Sequence, residues 1–317
     1  LAPYQHARYQ KEKTSIEESR VSSQRALANL MRILYLKRLE SSIYAFRKSL
    51  QRQVELQEKF LQALQKGRLL DACAYRKWLA LEGEEDEARE FAEEEMEELF
   101  QSLPTIDASK YDIALLQRHC EKDISCLKEI LDKISQINEA SDEKIQRLEE
   151  LLRGKIRGKK TLIFSYFKDT ARYIYRYLRN EFPEVRMSIV DSGVKPEERL
   201  DRIIRFAPIS NERRELKGSE REIDVLISTD VLSEGQNLQD AEVIINYDLH
   251  WNPVRLVQRI GRVDRIGALH DLIHIYNFIP EDALETLIRL VERLTRKLEA
   301  INRAVGLDAS VLGEKPN

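Results

Sequence analysis

Short apolar runs alternate with amphipathic segments through the second half of the chain. Strand-like runs lie at 161–166, 186–190, 224–230, 242–248 and 270–278, and helical patterns lie between several of them, at 169–180 and 196–206. Strands that alternate with helices are typical of a parallel sheet covered by helices. The sequence therefore predicts an α/β domain over residues 153–317, which ends in an amphipathic helix at Glu281–Ala304 that we expect to brace the first half of the chain.

Residues 1–152 show almost only helical periodicity. Apolar residues recur at helical spacing from Ser22 to Leu61 and again from Ile113 to Ile134. An acidic stretch from Glu82 to Glu98 separates the two runs and predicts a solvated helix or loop. We expect a long antiparallel helical hairpin or a small bundle, with a last helix at 142–152 that leads into the α/β domain.

Composition limits the class of protein and the way it could bind nucleic acid. A length of 317 residues allows about two domains. Charged residues make up 34% of the chain at a net charge of -3, which excludes a uniformly basic surface and leaves only local basic strips, such as 155–160, for nucleic acid.

Cysteine usage and hydropathy indicate the compartment. Three cysteines without paired C-x-x-C spacing fit free thiols in a reducing compartment, and they predict no metal site. No apolar stretch approaches the ~18 residues that span a bilayer. We therefore expect a cytoplasmic protein without a membrane segment.

Two arginines three residues apart, Arg262 and Arg265, stand in the run from Gln258 to Gly267. On a helix this spacing points both side chains the same way. Guanidinium groups suit phosphate oxygens and the charge that develops in phosphoryl transfer. An isolated pair of this kind is usually a solvated helix face. The preceding order of strand, polar loop and strand favours a nucleotide-hydrolysing site, with Pro253 opening the arginine helix.

In this order the residues resemble the second RecA-like domain of helicase superfamily two, and most closely the SWI/SNF-related ATPases. Leu162–Phe167 resembles motif IV, Ile227–Leu238 motif V and Gln258–Arg265 motif VI. The resemblance implies an ATP site with Mg²⁺, to which Arg262 and Arg265 contribute across an interdomain cleft as arginine fingers. The nucleotide-contacting residues that it further implies are Gln258, Glu234, Gly235 and Asn237.

The same resemblance implies contacts to the nucleic-acid backbone from motifs IV and V, at Ser165, Ser228, Thr229 and Asp230. Hydroxyl groups and backbone amides can donate to phosphate oxygens without reading bases. Turn capping is an alternative role for Ser228, Thr229 and Asn237. Duplex DNA is the expected partner, and the sequence indicates no particular protein partner.

Two motifs that such an ATP site needs are absent from the sequence. The run from Gly154 to Thr161 imitates a phosphate-binding loop, but its glycines are one residue too close and it precedes a predicted strand. Asp86–Arg89 imitates the magnesium-binding acidic pair without a strand before it. We expect the chain to be a fragment, inactive alone, whose ATP site is completed by a first RecA-like domain. The opening Leu1 in place of methionine agrees with this expectation.

Three positions depart from the usual family pattern. Tyr166 stands where many members carry glutamine, Asp264 where eukaryotic members usually carry histidine, and Ala268 where glutamine is common. The acidic variant resembles prokaryotic members, and the run Leu36–Ser42 resembles the helix that enters their helical insertion. The sequence thus predicts half of a prokaryotic ATP-dependent DNA translocase or helicase. An RNA helicase of the same superfamily and a non-catalytic docking scaffold are the alternatives.

Overall fold

The computed structural model describes residues 1–11, 28–29, 31–67, 110–233, 237–250, 252–265 and 268–305. The chain divides into two units, one made of residues 1–35 and 47–136 and the other of residues 36–46 and 137–317. This division differs from the predicted boundary between residues 152 and 153. Residues 36–46, and the helix before the first strand, lie in the second unit.

The first unit is helical over its described residues, as its periodicity predicted. Residues 31–41 form helix α1, Ile43–Gln65 form α2 and Ile113–Ser135 form α3, after a short 3-10 helix at Ala2–Tyr9. Asp112 caps α3 by accepting a hydrogen bond from the backbone nitrogen of Leu115 at 3.0 Å. Side chains of α2 and α3 share one apolar core, which includes Leu56, Phe60, Leu64, Leu116 and Cys120. The predicted acidic stretch at 82–98 lies outside the described residues.

A parallel sheet of five strands forms the centre of the second unit. The strands are β1 (Thr161–Phe164), β2 (Met187–Val190), β3 (Val225–Ser228), β4 (Val243–Asn246) and β5 (His274–Asn277). Their spatial order is β2-β3-β1-β4-β5, and every pair is parallel. Each lies within a predicted strand region, so the predicted α/β class with a RecA-like parallel sheet is confirmed.

Helices cover both faces of this sheet. They are α4 (Glu143–Arg153), α5 (Lys168–Glu181), α6 (Pro196–Phe206), α7 (Pro253–Val263), α8 (Asp282–Ile288) and α9 (Leu290–Val305). Leu162 and Phe164 of β1 pack into the core that includes α6, α7 and α9, whereas Ile163 packs into the core that includes α4 and α5. Burial on both faces explains why β1, β3 and β4 read as continuous apolar runs.

The last predicted helix is broken into α8 and α9, which the sequence did not predict. Arg289 adopts a left-handed conformation with φ of 48° and ψ of 44°. The carboxylate of Glu285 accepts hydrogen bonds from the backbone nitrogens of Leu290, Val291 and Glu292, at 2.8–3.3 Å. These contacts satisfy the free N–H groups at the start of α9 and so make the break possible. Apolar residues of α8 and α9 share the core of α7.

None of the helices in the described part of the chain is both long enough and apolar enough to cross a membrane.

Candidate functional site

The carboxyl ends of the central strands bring the predicted motifs together at one edge of the sheet. Phe164 at the end of β1 pairs with Ser228 of β3 and with Asn246 of β4. The loops that follow these strands therefore begin side by side, and they contain Ser165, Thr229 and residues 247–250. In open parallel sheets, ligands bind at this edge.

A buried carboxylate, Asp248, connects the loops after β1 and β4 with residues from the start of the chain. Its Oδ2 accepts hydrogen bonds from the hydroxyl groups of Ser41 at 2.5 Å and Ser165 at 2.7 Å. Its Oδ1 accepts from the backbone nitrogen of Tyr166 at 2.5 Å. The hydroxyl oxygens of Ser41 and Thr170 lie 2.7 Å apart. We call Ser41, Ser165, Thr170 and Asp248 the Asp248 cluster; all four side chains are buried.

Residues 36–46 are held in the second unit by cationic side chains as well. The buried Lys37 donates to the carboxylate of Glu40 at 2.5 Å and to the backbone oxygen of Leu249 at 2.9 Å. Lys144 of α4 donates to the backbone oxygen of Glu40 at 2.5 Å. Arg38 pairs with Asp169 at the start of α5. These contacts make residues 36–46 an integral part of the RecA-like domain.

A second buried polar group fixes α7 against the sheet. Arg259 donates from Nε to Asp230 Oδ1 at 2.7 Å and from Nη1 to Asn246 Oδ1 at 2.9 Å. Its guanidinium carbon lies 4.8 Å from the centre of the Phe164 ring. We call Phe164, Asp230, Asn246 and Arg259 the Arg259 cluster. Arg259 is the largest fully buried side chain among the described residues, so it belongs to the interior and not to a solvated helix face.

Three buried polar atoms in and beside the Arg259 cluster have no hydrogen-bond partner among the residues that the structure describes: Arg259 Nη2, Asp230 Oδ2 and Thr229 Oγ1. Buried polar groups in native proteins are nearly always paired, and an unpaired one calls for a bound water, an ion or a functional role. The unpaired atoms lie at the ligand-binding edge of the sheet, beside motif V. Other buried polar atoms of the described residues, such as Gln57 Oε1 and Tyr247 Oη, also lack partners, so it is the position at this edge that sets the three atoms apart.

His250 lies beside Asp230 and Tyr166. Its Nδ1 accepts a hydrogen bond from the backbone nitrogen of Asn252 at 2.8 Å, and its Nε2 lies 3.8 Å from Asp230 Oδ2. The ring centres of His250 and Tyr166 are 5.0 Å apart. Burial lowers the pKa of His250, although Asp230 acts in the opposite direction. Burial, with Asp230 and Asp248, raises the pKa of Tyr166.

Helix α7 carries motif VI but ends earlier than predicted. Asn252 caps it by accepting from the backbone nitrogen of Val254 at 3.1 Å, and Pro253 opens it as expected. The helix ends at Val263, and Asp264 is extended with φ of -85° and ψ of 90°. Arg265 therefore lies beyond the helix, and the prediction that Arg262 and Arg265 share one helical face is wrong. Gln258 and Arg265 are exposed, and Arg262 is half-buried.

The residues predicted to contact the nucleic-acid backbone are mostly buried. The hydroxyl of Ser165 is committed to the Asp248 cluster, and that of Ser228 donates to the backbone oxygen of Val190 at 3.0 Å. Internal partners favour the alternative of turn stabilisation for Ser228 and leave neither hydroxyl free for phosphate. Thr229 is buried and Asp230 is paired with Arg259, so any role of these four residues toward nucleic acid stays a prediction.

The remaining predicted nucleotide contacts lie in the motif V loop. Glu234 and Gly235 lie outside the described residues. Asn237 is exposed; its side-chain nitrogen lies 3.4 Å from the backbone oxygen of Ser210, and its own backbone oxygen accepts from the Asn211 side chain at 3.0 Å. Asn237 thus connects the motif V loop with the loop after α6.

The glycine- and lysine-rich run before β1 has a structural role, as its position before a strand indicated. Gly158 has a φ of 75°, which the absence of a side chain permits. Lys159 pairs with Glu242, and Lys160 pairs with Glu222. The run therefore connects α4 to β1 and does not form a strand-to-helix phosphate-binding loop. Among the residues that the structure describes, no group of three or more potential metal ligands gathers.

Sequence reasoning missed Arg259, Asn246, Asp248 and His250. A signal for Arg259 was present, because it lies among Leu256, Ile260 and Val263 on the apolar face of α7. Asn246 is a polar residue at the end of an otherwise apolar run, which in a parallel strand marks the ligand-binding edge. Asp248 and His250 follow the same strand. Their partners are distant in sequence, so no local pattern could assign them.

Comparison with known proteins gives a family match over part of the chain. Residues 143–267 match the model of the helicase conserved C-terminal domain. An uncharacterized ATP-dependent helicase, YqhH of Bacillus subtilis, is 44% identical over 84 residues, which are 26% of this chain and 14% of that protein. The RNA polymerase-associated protein RapA of Vibrio atlanticus is 36% identical over 135 residues, which are 42% of this chain and 13% of that protein.

A eukaryotic relative is more distant. The ATP-dependent RNA helicase DBP8 of Pyricularia oryzae is 25% identical over 138 residues, which are 44% of this chain and 21% of that protein. The chain thus spans only a small part of the length of these relatives. The family match and the relatives nevertheless agree with what motifs IV to VI predicted: residues 143–267 match the helicase conserved C-terminal domain, and the chain is similar to YqhH and RapA.

Proposed function

We propose that this chain is the C-terminal half of an ATP-dependent DNA translocase or helicase. In this proposal Arg262 and Arg265 act as arginine fingers on ATP bound with Mg²⁺, and a first RecA-like domain supplies the phosphate-binding loop and the magnesium-binding carboxylates. Residues Gln258, Glu234, Gly235 and Asn237 complete the nucleotide contacts on this side. Closure of the two domains around ATP, followed by reopening after hydrolysis, advances the protein along duplex DNA.

The observation that carries the proposal is the placement of α7. The Arg259 cluster fixes this helix at the carboxyl edge of the sheet, where the motif V loop also begins. Gln258 and Arg265 are exposed there, as residues that meet a second domain must be. Because Arg265 follows the extended Asp264, the two fingers leave the backbone from different local structures, one helical and one not.

In this proposal the loops after β1 and β3 make the contacts to nucleic acid. The Thr229 hydroxyl lies at the ligand-binding edge without a partner among the described residues, and a hydroxyl can donate to a phosphate oxygen, which the carboxylate of Asp230 cannot. We assign the backbone contacts to these loops, with Asp230 contributing through its main chain. Ser165 and Ser228 support the loops from inside, since their hydroxyl groups have internal partners and the backbone nitrogen of Ser165 donates to the backbone oxygen of Ser228 at 2.9 Å. A protein with these contacts grips nucleic acid without reading its sequence.

The first test is ATP hydrolysis by the purified chain alone and mixed with its first RecA-like domain, each with and without duplex DNA. We expect hydrolysis only in the mixture and stimulation by the duplex. Hydrolysis by the chain alone would show that it contains a complete nucleotide site.

The finger assignment is tested by R262A and R265A in the protein that contains both domains. Each should lower the hydrolysis rate by about 10³-fold, the typical effect of an arginine finger. R296A is the matched control, because Arg296 is an exposed arginine of α9 that pairs with Glu292. Thermal unfolding should be unchanged in all three variants; a finger variant that keeps the control's activity would contradict the assignment.

The RNA helicase alternative is favoured by one observation, the similarity to DBP8 of Pyricularia oryzae. Comparing stimulation of hydrolysis by duplex DNA, single-stranded DNA and RNA distinguishes the two. A non-catalytic docking scaffold, the other alternative, predicts no hydrolysis in the mixture and no nucleotide-dependent closure. The presence of Gln258, Arg262 and Arg265 argues against it.

A further inference from the structure

The ion pair between Arg259 and Asp230 has only one of the two hydrogen bonds that such a pair can form. An arginine and a carboxylate can form two parallel hydrogen bonds, and one such fork uses Nε and Nη2 of the guanidinium. Here Nε donates to Asp230 Oδ1 at 2.7 Å, whereas within the described part of the chain neither Nη2 nor Oδ2 has a partner. The two unpaired atoms are therefore those that would form the second arm of the fork.

A competing donor faces the same carboxylate oxygen. His250 Nε2 lies 3.8 Å from Asp230 Oδ2. The Nδ1 of His250 accepts from the backbone nitrogen of Asn252, so the proton of the neutral ring is on Nε2. A small rotation of Asp230 would bring Oδ2 toward one donor or the other. The pair thus has two discrete arrangements within reach, which is the property that a coupling element needs.

The two residues belong to the two motifs that must communicate. Asp230 directly follows the loop residue Thr229 after β3, in motif V. Arg259 precedes Arg262 by about one helical turn of α7, in motif VI. Asn246 and Phe164 hold the rest of the guanidinium, so a shift of Asp230 acts on a side chain that is otherwise fixed.

We propose that Arg259 is a positioning residue, which couples motif V to motif VI by completing its fork with Asp230 when the motif V loop engages nucleic acid. Completion of the second arm fixes the end of α7 and thereby the backbone that carries Arg262. Arg259 itself contacts neither ATP nor nucleic acid. This inference rests on the proposed function, and it adds the residue pair through which nucleic acid stimulates hydrolysis.

The test uses the protein that contains both RecA-like domains and measures the ratio of hydrolysis rates with and without saturating duplex DNA. D230N is the sharpest variant, because its amide oxygen can still accept from Arg259 Nε while its amide nitrogen cannot accept from Nη2. R259K keeps the charge and removes the fork. Each should lower the stimulation ratio by about tenfold, within the range of known couplings between sites.

The effect should appear in kcat with duplex DNA and not in the KM for ATP. R172K is the matched control, because Arg172 pairs at 2.8 Å with Asp191, the residue after β2 at the same edge of the sheet. It should keep the wild-type stimulation ratio. If R259K fails to fold, D230N decides alone, since it leaves the contact of Arg259 with Asn246 in place.

A double-mutant cycle completes the test. If the two residues act through one fork, R259K/D230N should lose no more stimulation than either single variant. Additive losses, or a wild-type ratio in D230N, would overturn the inference. A wild-type protein that no nucleic acid stimulates would instead contradict the proposed function, so the two failures can be told apart.

Discussion

Two buried polar clusters lie at the same edge of the sheet, and they differ in how completely their atoms are paired. In the Asp248 cluster every side-chain oxygen has a hydrogen-bond partner. In the Arg259 cluster, Nη2 of the arginine and Oδ2 of Asp230 have none in the portion of the chain that the structure describes, although the arginine is fully buried. The clusters meet along neighbouring residues, since Phe164 of one precedes Ser165 of the other.

This difference indicates that the Asp248 cluster holds the structure in place, whereas the Arg259 cluster can change its geometry. A fully paired buried network has one favoured geometry and resists change. A partly paired network carries the desolvation cost of its unpaired atoms, and it becomes more stable when those atoms find partners. The Asp248 cluster accordingly fixes residues 36–46 to the domain, whereas the Arg259 cluster retains a contact still to be made. Measurements of stability can test this contrast.

The largest effect is expected from D248A. This change leaves the hydroxyl groups of Ser41 and Ser165 and the backbone nitrogen of Tyr166 without their acceptor. We expect the free energy of unfolding to fall by about 3 kcal/mol or more, since each buried donor left without an acceptor costs about 1–3 kcal/mol.

Urea unfolding of the purified chain measures this loss. D201A is the control, because Asp201 is an exposed residue of α6 whose pairing with Arg205 is long, at 3.4 Å; it should change stability by no more than about 0.5 kcal/mol. Equal losses in the two variants would show that the Asp248 cluster does not hold residues 36–46.

A smaller effect, with opposite signs at adjacent positions, is expected at the end of β3. S228A removes a hydroxyl that donates to the backbone oxygen of Val190, and it should cost about 1 kcal/mol. T229V replaces a buried, unpaired hydroxyl by a methyl group of similar size, and it should stabilise the domain by up to about 1 kcal/mol. Chemical unfolding of both variants provides the comparison. A loss of stability in T229V would mean that this hydroxyl has a partner in solution.

The smallest effect is a dependence of stability on pH through His250. Burial lowers the pKa of His250 below its ordinary value near 6.5, so the unfolded chain binds this proton more readily than the folded one. As far as His250 is concerned, the free energy of unfolding is therefore highest above about pH 7.5, and it falls as the pH falls through 6.5. H250Q should flatten this part of the pH profile. If the stability of the wild type and of H250Q changes with pH at the same slope, the assignment of His250 to a buried environment is contradicted.

The fold was predictable where local pattern decides the structure. Buried strands such as Leu162–Phe164 are apolar between polar neighbours, and Pro196 and Pro253 both open helices, as proline does at a first helical position. The break at Arg289 was not predictable, because neither glycine nor proline marks it and the carboxylate of Glu285 stabilises it. The membership of residues 36–46 in the second unit depends on contacts with residues more than a hundred positions away.

The site was predictable in its motifs and not in its geometry. The start of α7 at Pro253 followed from the order of the motifs, while the roles of Gln258 and Arg262 stay predictions. The position of Arg265 beyond the helix follows from the extended Asp264, and the burial of Arg259 follows from partners on β4 and after β3. From the sequence alone, a charged side chain within the apolar face of a helix is assigned to the surface until its buried partners are known.

The contact between Ser41 and Asp248 has a consequence for synthesis of the chain. The two residues are separated by 207 positions, so a ribosome must add all of them before this hydrogen bond can form. Closing so long a loop early is entropically unfavourable, and contacts of this kind form late in folding. Residues 36–46 of the nascent chain therefore lack their final partners while the first unit is synthesised. Lys37 and Glu40 are among these residues. Five polar residues between positions 37 and 42 keep that part of the segment compatible with water until the sheet that receives it has been synthesised.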